Sequence, residues 1–373
     1  MMNLIFRVFG LPIFVGLLAT AQAFAGGYVA DVLRFKVDDG HAEVQAGKFW
    51  FKPLPTFSDA ELEVGITVHN KIYNDVDALV CTERELSLYR AGRPARCAGV
   101  NRGKGSFTFR APARSSERLY LLINNSFSLV VKKKVSFTIF VRDRIDQDKR
   151  QALEDGLAKG STAVSTMFEV PEFDLRVEPC GQDNAYSNSR TGDITICSEM
   201  FMGMALGGQK GALSAIMFHE MGHTLLNLWG LPGYDNEETV DEFAVVMLYL
   251  QGKQEYAIEW IDWFEKHDSR QQALTKLYVD DRHPLSVQRI RNIRRILQNP
   301  GPVIARWNRL LYPRMTVAGL EEVQKLAPMY ADRDLAEKLI AEKTSSTPDR
   351  RVQYRQPNSP TAPQPMWAPQ PQQ

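Results

Sequence analysis

Residues 218–244 read FHEMGHTLLNLWGLPGYDNEETVDEFA. On a helix, the i and i+4 positions of His219 and His223 bring both imidazoles to one face, one turn apart. There they can share a single zinc ion. Glu220 sits beside them as a non-ligand carboxylate, placed to act as general base on a water that zinc has made acidic. Three glutamates follow, and helical phase separates them. In NEETVDEFAVVMLYL, positions 237, 241, 244 and 248 fall on one line, and Glu237 and Asp241 are its only charged members. A buried carboxylate needs a partner, so Glu237 is expected as the third metal ligand. Asp241, one turn on, is expected to accept the outer N–H of a ligating histidine. Glu238 and Glu242 fall on a wetter line, as an acidic first turn would.

The elements around this motif suit a site. ALSAIMFHEMGHTLLNLW is apolar almost all round, which predicts a buried helix. Gly222 allows a neighbour to approach closely. AYSNSR-TGD-ITIC reads as a hairpin with Gly192 in its turn. The four cysteines form two close pairs along the chain. Local pairing, Cys81–Cys97 and Cys180–Cys197, is the simplest of three connectivities.

The pattern Cys180, Asn184-Ala185-Tyr186, Ile196-Cys197-x-Glu199, His219-Glu220-x-Gly222-His223, Leu231-Pro232, Glu237 and Asp241 with Phe243-Ala244 resembles a bacterial exported metallopeptidase family of the gluzincin type. The resemblance implies one Zn2+ held by His219, His223 and Glu237, with Glu220 as base. Val240 departs mildly from the alanine that related motifs often carry. Proteins of the zincin class lay an extended substrate along an edge strand, and DITIC is expected in that place. Further on, RHPLSVQRIRNIRRIL resembles a piece of the HtpX-type zinc endopeptidases through His283, Pro284, Arg289 and Ile290. It implies a catalytic contribution from His283, and makes Arg289 a candidate for stabilising an oxyanion. Apart from that resemblance, Arg289, Arg291, Arg294 and Arg295 read as a solvated basic face.

The rest of the chain predicts an α+β protein. Residues 1–25 have a positive start, a short apolar core and small-x-small cleavage sites, as an export signal peptide does. Residues 27–143 alternate apolar and polar residues between turn signals, predicting an antiparallel β-sandwich. Its RLYLLINNSFSLVVKKKVSFTIFV, with Asn124, Asn125, Ser126, Phe127, Ser128, Lys134 and Val135, resembles the closing strands of GOLD-type β-sandwiches, which implies an interaction module. Residues 145–343 predict a zincin-like, mainly helical domain with a small sheet. Residues 344–373 are rich in Pro and Gln and predict a disordered tail.

The 373 residues carry a formal net charge of +1, so no strong overall field argues for nucleic acid or anionic lipid as the main partner, and no nucleic-acid partner is expected. No segment after the leader is apolar enough for a stable membrane span. The expected function is an exported zinc-dependent metallopeptidase, periplasmic or extracellular. It would act on a peptide or protein substrate, with a protein partner possible through the β-domain. The alternatives are a non-catalytic binding or scaffold protein that retains zinc, or a zinc hydrolase of non-peptide amides. No nucleophilic triad signature or phosphate loop competes.

Overall fold

Alternation in the first half builds two four-stranded antiparallel sheets. The computed structural model describes residues 26–56, 60–114, 117–275 and 286–345. The expected leader, His283 and the tail beyond Ser345 lie outside the described residues. One sheet has the order β2 (Val32–Val44), β9 (Lys133–Arg144), β4 (Ala60–Val68), β7 (Ser106–Ala113). The other has the order β3 (Phe49–Pro53), β8 (Leu119–Asn124), β5 (Asp75–Thr82), β6 (Ala98–Lys104). Every second residue of β4, namely Leu62, Val64, Ile66 and Val68, is buried, and so are Val135, Phe137, Ile139 and Val141 of β9. They share one apolar core with Val76, Ala78, Val80, Leu121 and Ile123 of the other sheet. Each of these side chains larger than Ala78 contributes about 1.5–3 kcal/mol when fully buried. On the far side of that second sheet, Leu79, Cys81, Leu86 and Leu122 form a small separate cluster. Helix α1 (Glu83–Arg90) supplies Leu86, and Cys97 joins the cluster through its disulfide with Cys81.

A third sheet carries the second half, in the order β1 (Gly27–Val29), β10 (Leu175–Glu178), β12 (Ile194–Cys197), β11 (Ala185–Ser187). The stretch YVADVLRFKV, expected as one strand of the first domain, is therefore two strands. β1 pairs in parallel with β10, and β2 starts after a break at Ala30 and Asp31. Its position explains Gly27. A Cβ there would meet the Glu154 carbonyl oxygen at 2.1 Å, inside helix α2 (Gln147–Met167). The correction extends to β12. It lies between β10 and β11, so DITIC is an interior strand and β11 forms the sheet edge. The hairpin arm needed to reverse the chain covers the edge that the sequence left exposed.

Helices follow: α3 (Ser198–Leu206), α4 (Lys210–Leu228), α5 (Glu237–Leu250), α6 (Glu255–Thr275), α7 (Ser286–Gln298), α8 (Pro300–Leu311), α9 (Val317–Leu326) and α10 (Arg333–Ser345). No helix of the described residues is long and apolar enough to cross a membrane. The two halves are tied by Arg34 of β2. Its guanidinium bonds Glu63 at 2.7 Å and Glu199 of α3 at 3.0 Å, and lies 3.4 Å over the Phe140 ring. Glu199 is fully buried and also accepts the backbone N–H groups of Cys180 and Gly181, at 3.1 and 2.8 Å. Removing it leaves two amides without an acceptor and Arg34 with Glu63 as its remaining carboxylate. Glu199→Ala is expected to cost about 2–4 kcal/mol, seen as a lower urea midpoint. Glu61→Ala, whose partner Arg110 is largely exposed, should cost under about 1 kcal/mol.

Candidate metal centre

Two buried helices bring the candidate ligands together. α4 carries His219, Glu220 and His223, and α5 starts at Glu237 with the Asn236 side chain capping the Thr239 N–H at 2.9 Å. The crossing is close because of Gly222. A Cβ there would stand 3.0 Å from the Phe243 ring and 3.1 Å from Val240 Cβ. Val240, the departure from the family pattern, thus fills the gap that Gly222 leaves.

One ligand atom from each of His219, His223 and Glu237 falls within 4.8 Å of the others. The two Nε2 atoms are 3.2 Å apart, and the Glu237 oxygens stand 3.2 Å from His219 Nε2 and 3.7 Å from His223 Nε2. Both outer nitrogens are engaged elsewhere: His219 Nδ1 meets Asp241 Oδ1 at 2.8 Å, and His223 Nδ1 meets the Tyr234 carbonyl at 2.5 Å. Each imidazole therefore turns Nε2 inward. Two nitrogens and a carboxylate converge, a donor set suited to a borderline divalent cation. The residues present fit a metal.

Arg289 of α7 enters this cluster instead of joining a solvated face. Its side chain is largely buried, whereas Arg294 is exposed and pairs with Glu265. The reason is phase: α7 buries Ile290, Ile293 and Ile296, and Arg289 borders that stripe. Arg289 donates to Asp241 through Nε at 2.8 Å and Nη2 at 2.7 Å, and its Nη1 lies 3.2 Å from Glu237. It also stacks 4.9 Å over the Phe264 ring. Glu238 and Glu242 turn away, towards Gln288 and Arg306 respectively.

The charges shape one another. Burial and Arg289 push His219 down, yet Asp241 and Glu237 outweigh them and hold it at about 9. Burial alone would raise Glu237, but His219 and Arg289 bring it to about 2. Burial lowers His223, helped by the His219 charge. Glu220 is raised, chiefly by burial. It accepts the Ser187 backbone N–H from β11, so the sheet edge touches the expected base.

A cavity of about 430 Å³ opens over the cluster. Asp183 to Ser187 line one side, and Met200, Ile216, Trp260, Trp263 and Phe264 another. Cys180 and Cys197 are bonded, fixing the start of the segment that leads into β11. Sequence reasoning missed the Tyr234 carbonyl, the Ser187 N–H and the Trp260 ring, 5.9 Å from His219. Backbone groups leave no residue-type signal, and Trp260 reads as ordinary core.

Residues 144–297, which hold the whole cluster, match the model of the family DUF4344, described as "Putative metallopeptidase". No curated protein matches the sequence. Among solved structures, the crystal structure of FLHE is 16% identical over 31% of this chain and 100% of that one, with a TM-score of 0.22. A functionally unknown conserved protein from Bacillus anthracis str. Ames is 11% identical over 81% of this chain and 78% of its own, with a TM-score of 0.21. The IMPa metallopeptidase in complex with T-antigen is 10% identical over 88% of this chain and 48% of its own, with a TM-score of 0.19. Values this low leave the fold of this chain to be described on its own terms.

Asp241→Asn is expected to weaken metal binding about 10–100-fold, measured by competition with a chromophoric chelator. Metal uptake should also release protons. His219 is raised in the folded protein, so its charged form contributes stability below about 6.5 that is lost as pH rises through about 9. A ligating imidazole must shed that proton. Apparent affinity should therefore climb about tenfold per pH unit towards pH 9. Near neutral pH, calorimetry in buffers of different ionisation enthalpy should find about one proton released per metal ion.

Proposed function

We propose that this chain is an exported zinc-dependent metallopeptidase of the gluzincin type, with His219, His223 and Glu237 as ligands and Glu220 as general base. The observation that carries the reading is the convergence of those three donors beside a buried carboxylate that is not one of them. A purely structural site has no use for Glu220. Zinc, when bound, would supply a Lewis acid for the scissile carbonyl and make a water acidic enough to attack. The chain's own residues do the rest. Glu220, raised by burial, can take a proton and return it to the leaving amine. Asp241 fixes the His219 ring, and Arg289 neutralises Asp241 and steadies Glu237. Its bidentate bond to Asp241 supports this positioning role over the oxyanion role drawn from the sequence. His283 keeps the role the sequence resemblance implies only as part of this proposal.

The sheet edge favours a peptide substrate. Cys197 N–H bonds the Asn184 carbonyl at 2.9 Å and Asn188 N–H bonds the Asp193 carbonyl at 2.8 Å. Antiparallel pairing then turns residues 184, 186 and 188 towards β12 and residues 185 and 187 outward. Ala185 N–H and C=O and Ser187 C=O face an extended peptide laid along β11. The two disulfides and the expected leader agree with an oxidising compartment. In this reading residues 27–143 form a β-sandwich module, residues 145–343 a zincin-like domain, and Thr344 onwards a tail.

Glu220→Gln is expected to keep one zinc per chain by metal analysis and to lose peptide hydrolysis by at least about 100-fold. Glu237→Ala should lose the metal, and Glu238→Ala should keep it. Unchanged hydrolysis in Glu220→Gln defeats the peptidase reading, and full metal in Glu237→Ala defeats the ligand assignment.

A further inference from the structure

Four large apolar side chains gather at one end of the two N-terminal sheets, far more exposed than the rest. Leu129 is 92% exposed, Val130 86%, Ile72 71% and Tyr73 69%. Among the described residues only Met329, at 87%, stands with them, and the next large apolar residue is Ile258 at 55%. Ile72 and Tyr73 occupy the β4–β5 connection, and Leu129 and Val130 the β8–β9 connection. The Asn70 side chain clamps the two loops together. It donates to the Lys132 carbonyl and accepts the Lys134 N–H, both at 2.9 Å.

Beneath the tips the base is rigid. Asn125 is fully buried, and its amide donates to the carbonyls of Val44, Gln45 and Val131 at 3.2, 3.2 and 2.8 Å. Lys133 is also buried, bonding Asp75 at 3.0 Å and the Tyr73 carbonyl. Tyr73 itself has φ +55°, a left-handed conformation that costs a non-glycine residue energy and persists only where surroundings hold it. Nothing is buried by pushing Ile72, Tyr73, Leu129 and Val130 outward, so the fold gains nothing from them.

Charge narrows the partner. Lys48, Lys71, Lys104 and Lys134 are exposed around the tips, and so are Lys132 and Arg102, which pair with Glu43 and Asp75. Against them stand three nearby carboxylates: Glu43 pairs with Lys132, Asp75 with the buried Lys133 and with Arg102, and Asp77 accepts from the neutral Asn124 amide and the Arg102 backbone N–H, so cations outnumber carboxylates at this end. Projecting apolar apices ringed by cations suit a bilayer with anionic headgroups. Protein interface cores, by contrast, are depleted of lysine. We propose that this end of the β-module is a membrane-docking tip, inserting Ile72, Tyr73, Leu129 and Val130 into an anionic lipid surface. The net charge of +1 hides this local field.

The chain has no free cysteine among the described residues, so one added thiol can be labelled alone. Val130→Cys carrying an environment-sensitive nitrobenzoxadiazole should shift its emission to the blue on vesicles of mixed phosphatidylglycerol and phosphatidylcholine. The same label at Met329→Cys, equally exposed but elsewhere, should not shift. Adding Lys71→Glu and Lys134→Glu to Val130→Cys should raise the lipid needed for half the shift at least about tenfold. No shift at 130 on anionic vesicles overturns the proposal and assigns the tips to a protein partner. Equal shifts at 130 and 329 overturn it as general adsorption. A shift at 130 just as strong on phosphatidylcholine alone overturns the anionic part.

Discussion

A buried carboxylate with two cationic neighbours organises the candidate metal centre. Asp241 is 1% exposed and touches both His219 and Arg289. Such a charge is tolerable only because both partners are within hydrogen-bond reach. In return it sets which nitrogen His219 turns inward and draws Arg289 beside Glu237. Three helices, α4, α5 and α7, are thus registered against one another by a single side chain. Gly222 then lets α4 and α5 come near enough for that contact to form.

The candidate site was largely legible because its side chains recur at helical spacing. The motif gave His219, Glu220 and His223, and the apolar line of α5 picked out Glu237 and Asp241. Arg289 shows the limit of that logic. Four arginines in a short run read as a wet face, and only the position of α7 against α5 reveals that one of them points inward. The carbonyl of Tyr234 and the amide of Ser187 were invisible because every residue carries those groups.

The fold was legible in its periods and less so in its pairings. Alternation located β4, β7, β8 and β9, and the all-round apolar helix was buried as expected. Which strand lies beside which depends on contacts distant in sequence. For that reason β12 read as an edge, although β11 covers it. β1 read as the opening of β2, although a steric opening at Gly27 sends it to α2 and β10. Residue pattern fixes the face that a strand buries and says little about its neighbours.

The placement of β1 has a consequence for how the polypeptide can be divided. Its partner Leu175 lies 148 positions further along the chain than Gly27. The sheet that flanks the candidate metal centre therefore borrows its outer parallel strand from the amino-terminal half, and everything in the two β-sheets is spliced between these paired segments. A cut near residue 144, which looks like a natural seam, would leave β10 without that neighbour. It would also remove Arg34 from the buried Glu199. Topologically the β-module is an insertion into the half that holds the candidate site, and closing that sheet must wait for a long loop to be drawn shut.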